Sequence, residues 1–216
     1  MTDRSAASKP ESTPGAGAER SASDRPGPSR PAPTIRWPAA WSSRPRSAWL
    51  QRLPGRRIRL AGLLSASRRG LRPAAAVYDV GGGTGYPLQL FLAGDRESHG
   101  RTYVLAEPQR GMLVRARREP PSRGTEEIGR VQADGVALPF RDASADLVLS
   151  LGVLCCTAPA AVPRAIREIE RVLRPGGRLA FAVPRRHIAL LEPLLLAQGL
   201  EPIERFGRNR ILFKKG

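Results

Sequence analysis

From residue 74 onward, short continuous apolar runs alternate with stretches whose apolar positions recur every three or four residues. The first pattern is that of a strand buried on both faces, the second that of a helix with one buried stripe, so the alternation predicts a mostly parallel sheet covered on both sides. "AAAVYDV" (74–80) reads as the first strand and "PLQLFLA" (87–93) as its helix. "RTYVLAEP" (101–108) is the second strand, with a helix around "GMLVRARR" (111–118) that stops at Pro120 and Pro121. "IGRVQAD" (128–134) and "ADLVLSL" (145–151) are strands three and four. In "AAVPRAIREIERVL" (160–173), Val162, Ile166, Ile169 and Leu173 mark a buried helical stripe that ends at "RPGG". On its wet side the spacing predicts two i,i+4 ion pairs, Arg164 with Glu168 and Glu170 with Arg174. "RLAFAVP" (178–184) is strand five, "HIALLEPLLLAQ" (187–198) the last helix, and "EPIERFG" with "RILFKK" a closing antiparallel hairpin. The expected fold class is α/β, doubly wound and Rossmann-like, with seven mostly parallel strands and an antiparallel last one.

Before this region the pattern changes. Residues 1–46 are rich in Ser, Ala, Pro, Gly and Arg and almost lack large aliphatic side chains, so they cannot bury enough surface to offset their ordering entropy; the segment is expected to be disordered. Residues 47–73 form a basic helical cap or lead-in, in which Ile58, Leu60, Leu63 and Leu64 suit a short basic helix from Arg56 to Arg69, closed by Gly70 and Pro73. Trp37, Trp41 and Trp49 lie between arginines at the junction. Such rings can stack on bases, but docking onto the domain is the favoured reading.

The chain of 216 residues has a formal charge of +17, and the split matters more than the total. Residues 1–76 carry 15 basic and 4 acidic side chains, while residues 77–216 carry 21 and 15. Most of the excess therefore sits ahead of the α/β region, and basic charge is discounted as a sign of nucleic-acid binding. No apolar run is long enough to span a membrane, and the N-terminus lacks the apolar core of a secretion signal. Adjacent Cys155 and Cys156 cannot staple distant parts of the fold, so a reduced, cytoplasmic setting is expected.

Candidate chemistry concentrates in "VYDVGGGTGYP". Glycines between a first strand and its helix remove side-chain bulk and permit left-handed backbone, which lets a ligand approach the main chain. A triphosphate loop requires Gly-Lys-Ser/Thr, which is absent. A dinucleotide loop requires a third glycine at the sixth position counting from Gly81, where Tyr86 stands. What remains is Asp-x-Gly-x-Gly-x-Gly, formed by Asp79, Gly81, Gly83 and Gly85. An acid at this point repels phosphate and accepts an amino group, so the ligand should carry a cation.

This loop, "VLAEPQRGML", "QADGVALPFRDASADLVLS" and "IREIERVLRPGGRLAFAVP", four blocks in order over residues 74–216, together resemble the class I S-adenosylmethionine-dependent methyltransferases, specifically the ubiquinone/menaquinone-biosynthesis-like branch. The resemblance implies S-adenosylmethionine as cofactor. Asp79 would lie beside its aminoacyl part and Glu107 on the ribose hydroxyls. Asp134, followed by Gly135, would meet the adenine amino group, with Ser150 and Leu151 on the methionine side. No metal is implied. The chain departs from the family pattern at Ala145, where an aromatic is usual, and at Cys155 and Cys156, where aromatic or histidine residues are common. Both departures fall on the acceptor side.

A small-molecule acceptor is the favoured expectation. The alternatives are RNA or protein docked by the arginine-rich arm, and a non-catalytic assembly partner that keeps the cofactor fold. "SLGV" after strand four lacks the Asn/Asp-Pro-Pro-Tyr of enzymes that methylate exocyclic amines. His99 reads as an exposed loop residue, and His187 as an exposed helix start, with general base as the lesser option. The cysteines read as small packing residues, with a thiophilic ligand as the lesser option. Few residues separate Pro184 from the last helix, so the cleft is open unless the segment from about Trp37 to Gly70 folds over it.

Overall fold

The computed structural model describes residues 54–96, 100–118 and 128–216. The tail, the three tryptophans, His99 and the Pro120–Pro121 stop lie outside the described residues.

The first helix, α1 (Pro54–Arg68), is followed by Gly70 in left-handed backbone, φ 65°. Then come β1 (Ala76–Val80), α2 (Tyr86–Ala93), β2 (Thr102–Ala106), α3 (Arg110–Arg118) and β3 (Ile128–Val131). β4 spans Ala145–Leu151, α4 Val162–Val172, β5 Leu173–Ala182, α5 Ile188–Leu196, β6 Leu200–Arg205 and β7 Arg210–Lys215. The seven strands pair in the order β3-β2-β1-β4-β5-β7-β6. β7 runs antiparallel to both of its neighbours, and β1 to β5 pair in parallel. The expected fold is thus present. The closing hairpin adds a point that periodicity does not carry, because its second strand takes the inner place beside β5.

Each face of the sheet has its own core. On one, Leu63 and Leu64 of α1 and Leu88 and Phe91 of α2 pack over Val77, Leu105, Leu149 and Leu212. On the other, Ile166 and Ile169 of α4 and Leu191 and Leu195 of α5 pack over Val148, Leu179, Phe181 and Phe213. The helix from Pro54 to Arg68 is therefore a layer of the domain rather than a cover folded over the cleft, because Leu60, Leu63 and Leu64 are drawn into the same core as α2.

Neither of the two i,i+4 ion pairs predicted on α4 forms; the acids take other partners. Glu168 and Arg171 pair at i,i+3, with Nε 2.8 Å from Oε1. Glu170 pairs with Lys215 at 2.7 Å. Arg174 has left the helix, which ends at Val172, and its Nε lies 2.5 Å from Asp146 Oδ1. Helical spacing cannot operate once the chain has turned into β5 at Leu173.

Asp146 is a buried acid with several donors. Arg72 donates from Nε at 2.7 Å and from Nη2 at 3.1 Å, and the Ala76 amide donates at 2.9 Å, which ties the start of β1 to the start of β4. Burial by itself would raise its pKa, but the bonds from Arg72 and Ala76 and the charges of Arg174 and Arg72 prevail and hold it below the usual carboxylate range. A lowered acid stabilises the folded state above its unfolded pKa, and that stabilisation is lost as the pH falls. Asp146→Ala is expected to reduce stability by about 2 kcal/mol at pH 7, since it orphans the Ala76 amide, and by progressively less below about pH 4. Urea unfolding at the two pH values checks this.

Candidate functional site

The glycine loop is shaped by its own backbone. Gly81, Gly83 and Gly85 have φ of 68°, 62° and 77°, left-handed values that side-chain-bearing residues rarely adopt, which accounts for a glycine at every second position. The Gly81 amide bonds the Ala106 carbonyl at 2.7 Å and Gly85 bonds Gly82 at 2.9 Å, so the loop folds over the end of β2 and delivers the chain into α2. Gly82 meets a different requirement. A Cβ there would lie 2.1 Å from Asp79 Oδ2 and 2.6 Å from Leu105 Cδ1, so the loop sits directly on the aspartate. The spacing rule passes over Gly82. The acid three positions earlier was the available signal for it.

Two of the predicted acids are brought together here. Asp79, at the end of β1, is fully buried, and neither carboxylate oxygen has a hydrogen-bond partner. Burial first, and the charge of Glu107 second, push its pKa up to about 7; the Leu88 amide, which points toward the carboxylate without closing a hydrogen bond, offsets this only in part. Glu107, just past β2, is 5% exposed and accepts from the Gly83 amide (3.0 Å) and the Gln109 amide (3.0 Å), one on each oxygen. Burial raises its pKa as well, against those two amides. Each Glu107 oxygen retains a second lone pair for a hydroxyl donor.

Asp134 stands at the exit of the next strand. Its Oδ1 accepts from the Val136 amide at 3.2 Å, an Asx turn that shapes the bend through Gly135. The backbone joins this bend to Glu107, since the Ala133 amide bonds the Glu107 carbonyl at 3.3 Å. No described contact links the Asp134 carboxylate to the other two acids. Gly135 has no left-handed φ, and a Cβ there would meet Val80 at an ordinary 3.7 Å, so nothing steric demands glycine.

Arg171, not singled out by the sequence, holds the segment after Asp134 in place. It donates to the carbonyls of Leu138 (3.0 Å) and Phe140 (2.8 Å), while Glu168 accepts from the Leu138 amide at 2.7 Å. Phe140 in turn packs on Tyr78 with ring centroids 4.2 Å apart. The i,i+3 spacing of Glu168 and Arg171 was its one local signal.

Ser150 is fully buried at the end of β4, its hydroxyl without a hydrogen-bond partner, and Leu151 is half-buried beside it. Gly152 (φ 89°) then turns the chain, and Val153 packs against the glycine loop so closely that a Cβ on Gly81 would come within 2.7 Å of its Cγ1. His187 opens α5 as expected but is half-buried rather than exposed, with Nδ1 enclosed and unpartnered, because the turn Arg185–His187 folds back through a bond from the His187 amide to the Pro184 carbonyl at 2.9 Å. Among the described residues no group of three or more His, Cys, Asp or Glu side chains could hold a metal, and no helix is long and apolar enough to cross a membrane.

A parallel sheet with this strand order, an antiparallel β7 and a glycine loop flanked by acids at successive strand ends defines a class I methyltransferase domain. Residues 78–181, just under half of the chain, match the family described as "Methyltransferase domain", and the fold is the Rossmann-like one of class I S-adenosylmethionine-dependent methyltransferases. It is 39% identical over 121 residues to a malonyl-[acyl-carrier protein] O-methyltransferase of Methylococcus capsulatus, a match covering 56% of this chain and 41% of that one. It is 38% identical over 125 residues to the ubiquinone/menaquinone biosynthesis C-methyltransferase UbiE of Hahella chejuensis, covering 56% and 47%. The chain thus spans less than half the length of these curated relatives. Among solved structures, the complex between the Haloferax volcanii Trm112 methyltransferase activator and the putative methyltransferase shares the fold, with a TM-score of 0.59, 24% identity and 76% of each chain covered.

Proposed function

We propose that this protein transfers a methyl group from S-adenosylmethionine to a small-molecule acceptor. The observation that carries the reading is the pair of buried carboxylates, Asp79 and Glu107, against a loop of left-handed glycines. An acid buried with no partner for either oxygen is unfavourable in an isolated fold, so its retention at Asp79 fits a cationic ligand nearby. In this reading Glu107, already oriented by two amides, receives the ribose hydroxyls and Asp134 the adenine amino group. Asp79 acts from beneath the loop on the positively charged aminoacyl end. Gly81, Gly83 and Gly85 keep side chains out of the way, Gly135 continues the adenine-side bend, and Ser150 and Leu151 border the methionine side.

The bound sulfonium would supply an already activated methyl group. The chain's own part is then to bind, to align the acceptor with that methyl and to exclude water. No catalytic side chain is assigned. The acceptor class rests on the curated relatives, whose names specify O-methylation of malonyl-[acyl-carrier protein] and C-methylation in ubiquinone/menaquinone biosynthesis.

Calorimetric titration with S-adenosylmethionine should give saturable one-to-one binding, and incubation of the protein with labelled cofactor and cell extract should label a low-molecular-weight fraction. Absence of both heat and thermal shift would favour the non-catalytic alternative. Label in RNA or protein, lost on removal of residues 1–46, would favour the docking alternative.

A further inference from the structure

The geometry points to Cys155 and Cys156 as a two-thiol site for a trivalent arsenic centre that carries one carbon substituent, seated beside the glycine loop. The backbone builds this site. After Val153, wedged on Gly81, the chain makes a single 3-10 turn over Leu154–Cys156, fixed by the bond from the Cys156 amide to the Val153 carbonyl (2.8 Å) and anchored by buried Leu154. Adjacent side chains usually point apart. Here the two sulfurs converge to 3.8 Å, and both residues are half-buried. Cys155 Sγ donates to the Gly152 carbonyl at 3.5 Å and also faces Cys156 Sγ.

Three readings of such a pair can be separated on chemistry. A structural zinc site needs four ligands and a catalytic one three, and no third His, Cys, Asp or Glu completes the group among the described residues. A reactive or redox-sensing cysteine needs a thiolate of low pKa, whereas the hydrogen bond with Cys156, and then burial, push the Cys155 thiol up. A disulfide between neighbours is strained, and the sulfurs would have to close from 3.8 Å to about 2.05 Å. Trivalent arsenic with one carbon already attached has two coordination places left, and it is thiophilic. Two converged sulfurs, with no third His, Cys, Asp or Glu completing a group among the described residues, match that requirement.

The step balances without any co-reactant. An arsenoxide R–As=O meets two S–H groups, two As–S bonds form and two S–H bonds break. The oxygen leaves as water with both thiol protons, and arsenic remains trivalent. The site stands independently of methyl transfer, since neither cysteine contributes to the cofactor residues assigned above.

The test uses the full chain, reduced with a thiol-free phosphine and titrated with phenylarsine oxide under native mass spectrometry. The expected product is a one-to-one adduct formed with loss of one water, reversed by a dithiol and resistant to the same concentration of a monothiol. Cys155→Ser and Cys156→Ser should each weaken the adduct about a hundredfold, because either removes the chelate, while both variants keep the wild-type melting temperature and cofactor binding. A synthetic peptide of residues 150–160 should bind about tenfold more weakly than the folded chain, because it lacks the preformed turn. No adduct with wild type, equal binding by either single variant, or a peptide as tight as the protein would each overturn the proposal.

Discussion

Replacing Glu107 by alanine is expected to weaken S-adenosylmethionine binding at least about a hundredfold while the sheet stays folded. Hydrogen bonds to a charged group contribute about 1.5–3 kcal/mol each, so losing two to ribose hydroxyls corresponds to about 3 kcal/mol or more. The variant also releases the loop. The Gly83 and Gln109 amides lose their acceptor, and the left-handed turn over β2 loses its only described side-chain tether. Because Glu107 is buried and accepts from two amides, the melting temperature should also fall by several degrees, so binding is compared at 25 °C with both proteins folded. Glu107→Gln is the informative companion, since it preserves size but turns an NH2 donor toward one of two amides that are themselves donors; it should fall between the alanine variant and wild type. Calorimetry decides the matter: an alanine variant that binds within threefold of wild type removes Glu107 from the cofactor site and takes the proposed function with it.

Asp79→Asn is expected to make the protein more stable and less able to bind, with an effect that depends on pH. The folded-state pKa of about 7 lies above the unfolded value of 3.8. Between those values the unfolded chain releases its proton while the folded chain keeps it. Stability therefore declines as the pH rises through this window and levels off above 7, for a total of about 4 kcal/mol at about 1.4 kcal/mol per unit. The asparagine variant has no proton to lose. Its melting temperature should exceed that of wild type at pH 8, and the difference should vanish near pH 4. Cofactor affinity should show the reverse dependence in wild type, rising as Asp79 ionises, and should be weak and insensitive to pH across this range in the variant. Melting curves for both proteins between pH 4 and 8 test the first half. A variant less stable than wild type at pH 8 would mean that Asp79 has a stabilising partner.

These two acids show how far local sequence reaches. Asp79 and Glu107 were legible because a strand exit fixes where a residue stands, and β1 and β2 each announce their exits with a continuous apolar run. The spacing of Gly81, Gly83 and Gly85 was legible because each carries the same backbone demand. Gly82 was not, since its constraint is the volume of Asp79 folded beneath it. Asp134 was placed at the right strand end, yet its carboxylate closes a local turn, and spacing says nothing about direction. The two pairs expected on α4 fail for different reasons: Glu168 takes the nearer Arg171, while Glu170 and Arg174 find partners in Lys215 and Asp146, remote in sequence, because the helix is over before Arg174 can face its i−4 neighbour. Likewise a hairpin read from two apolar runs leaves open which of them docks on the sheet.

That last choice reaches into how the domain assembles. β7 follows every other described strand in the sequence, yet it fills the slot between β5 and β6, where Phe213 meets Phe181 edge-on with centroids 6.1 Å apart. Without it β5 has a bare flank and β6 holds to the domain mainly through α5, where Leu200 packs with Leu191 and Leu195, so Ile211 and Phe213 are what close the core under α4 and α5.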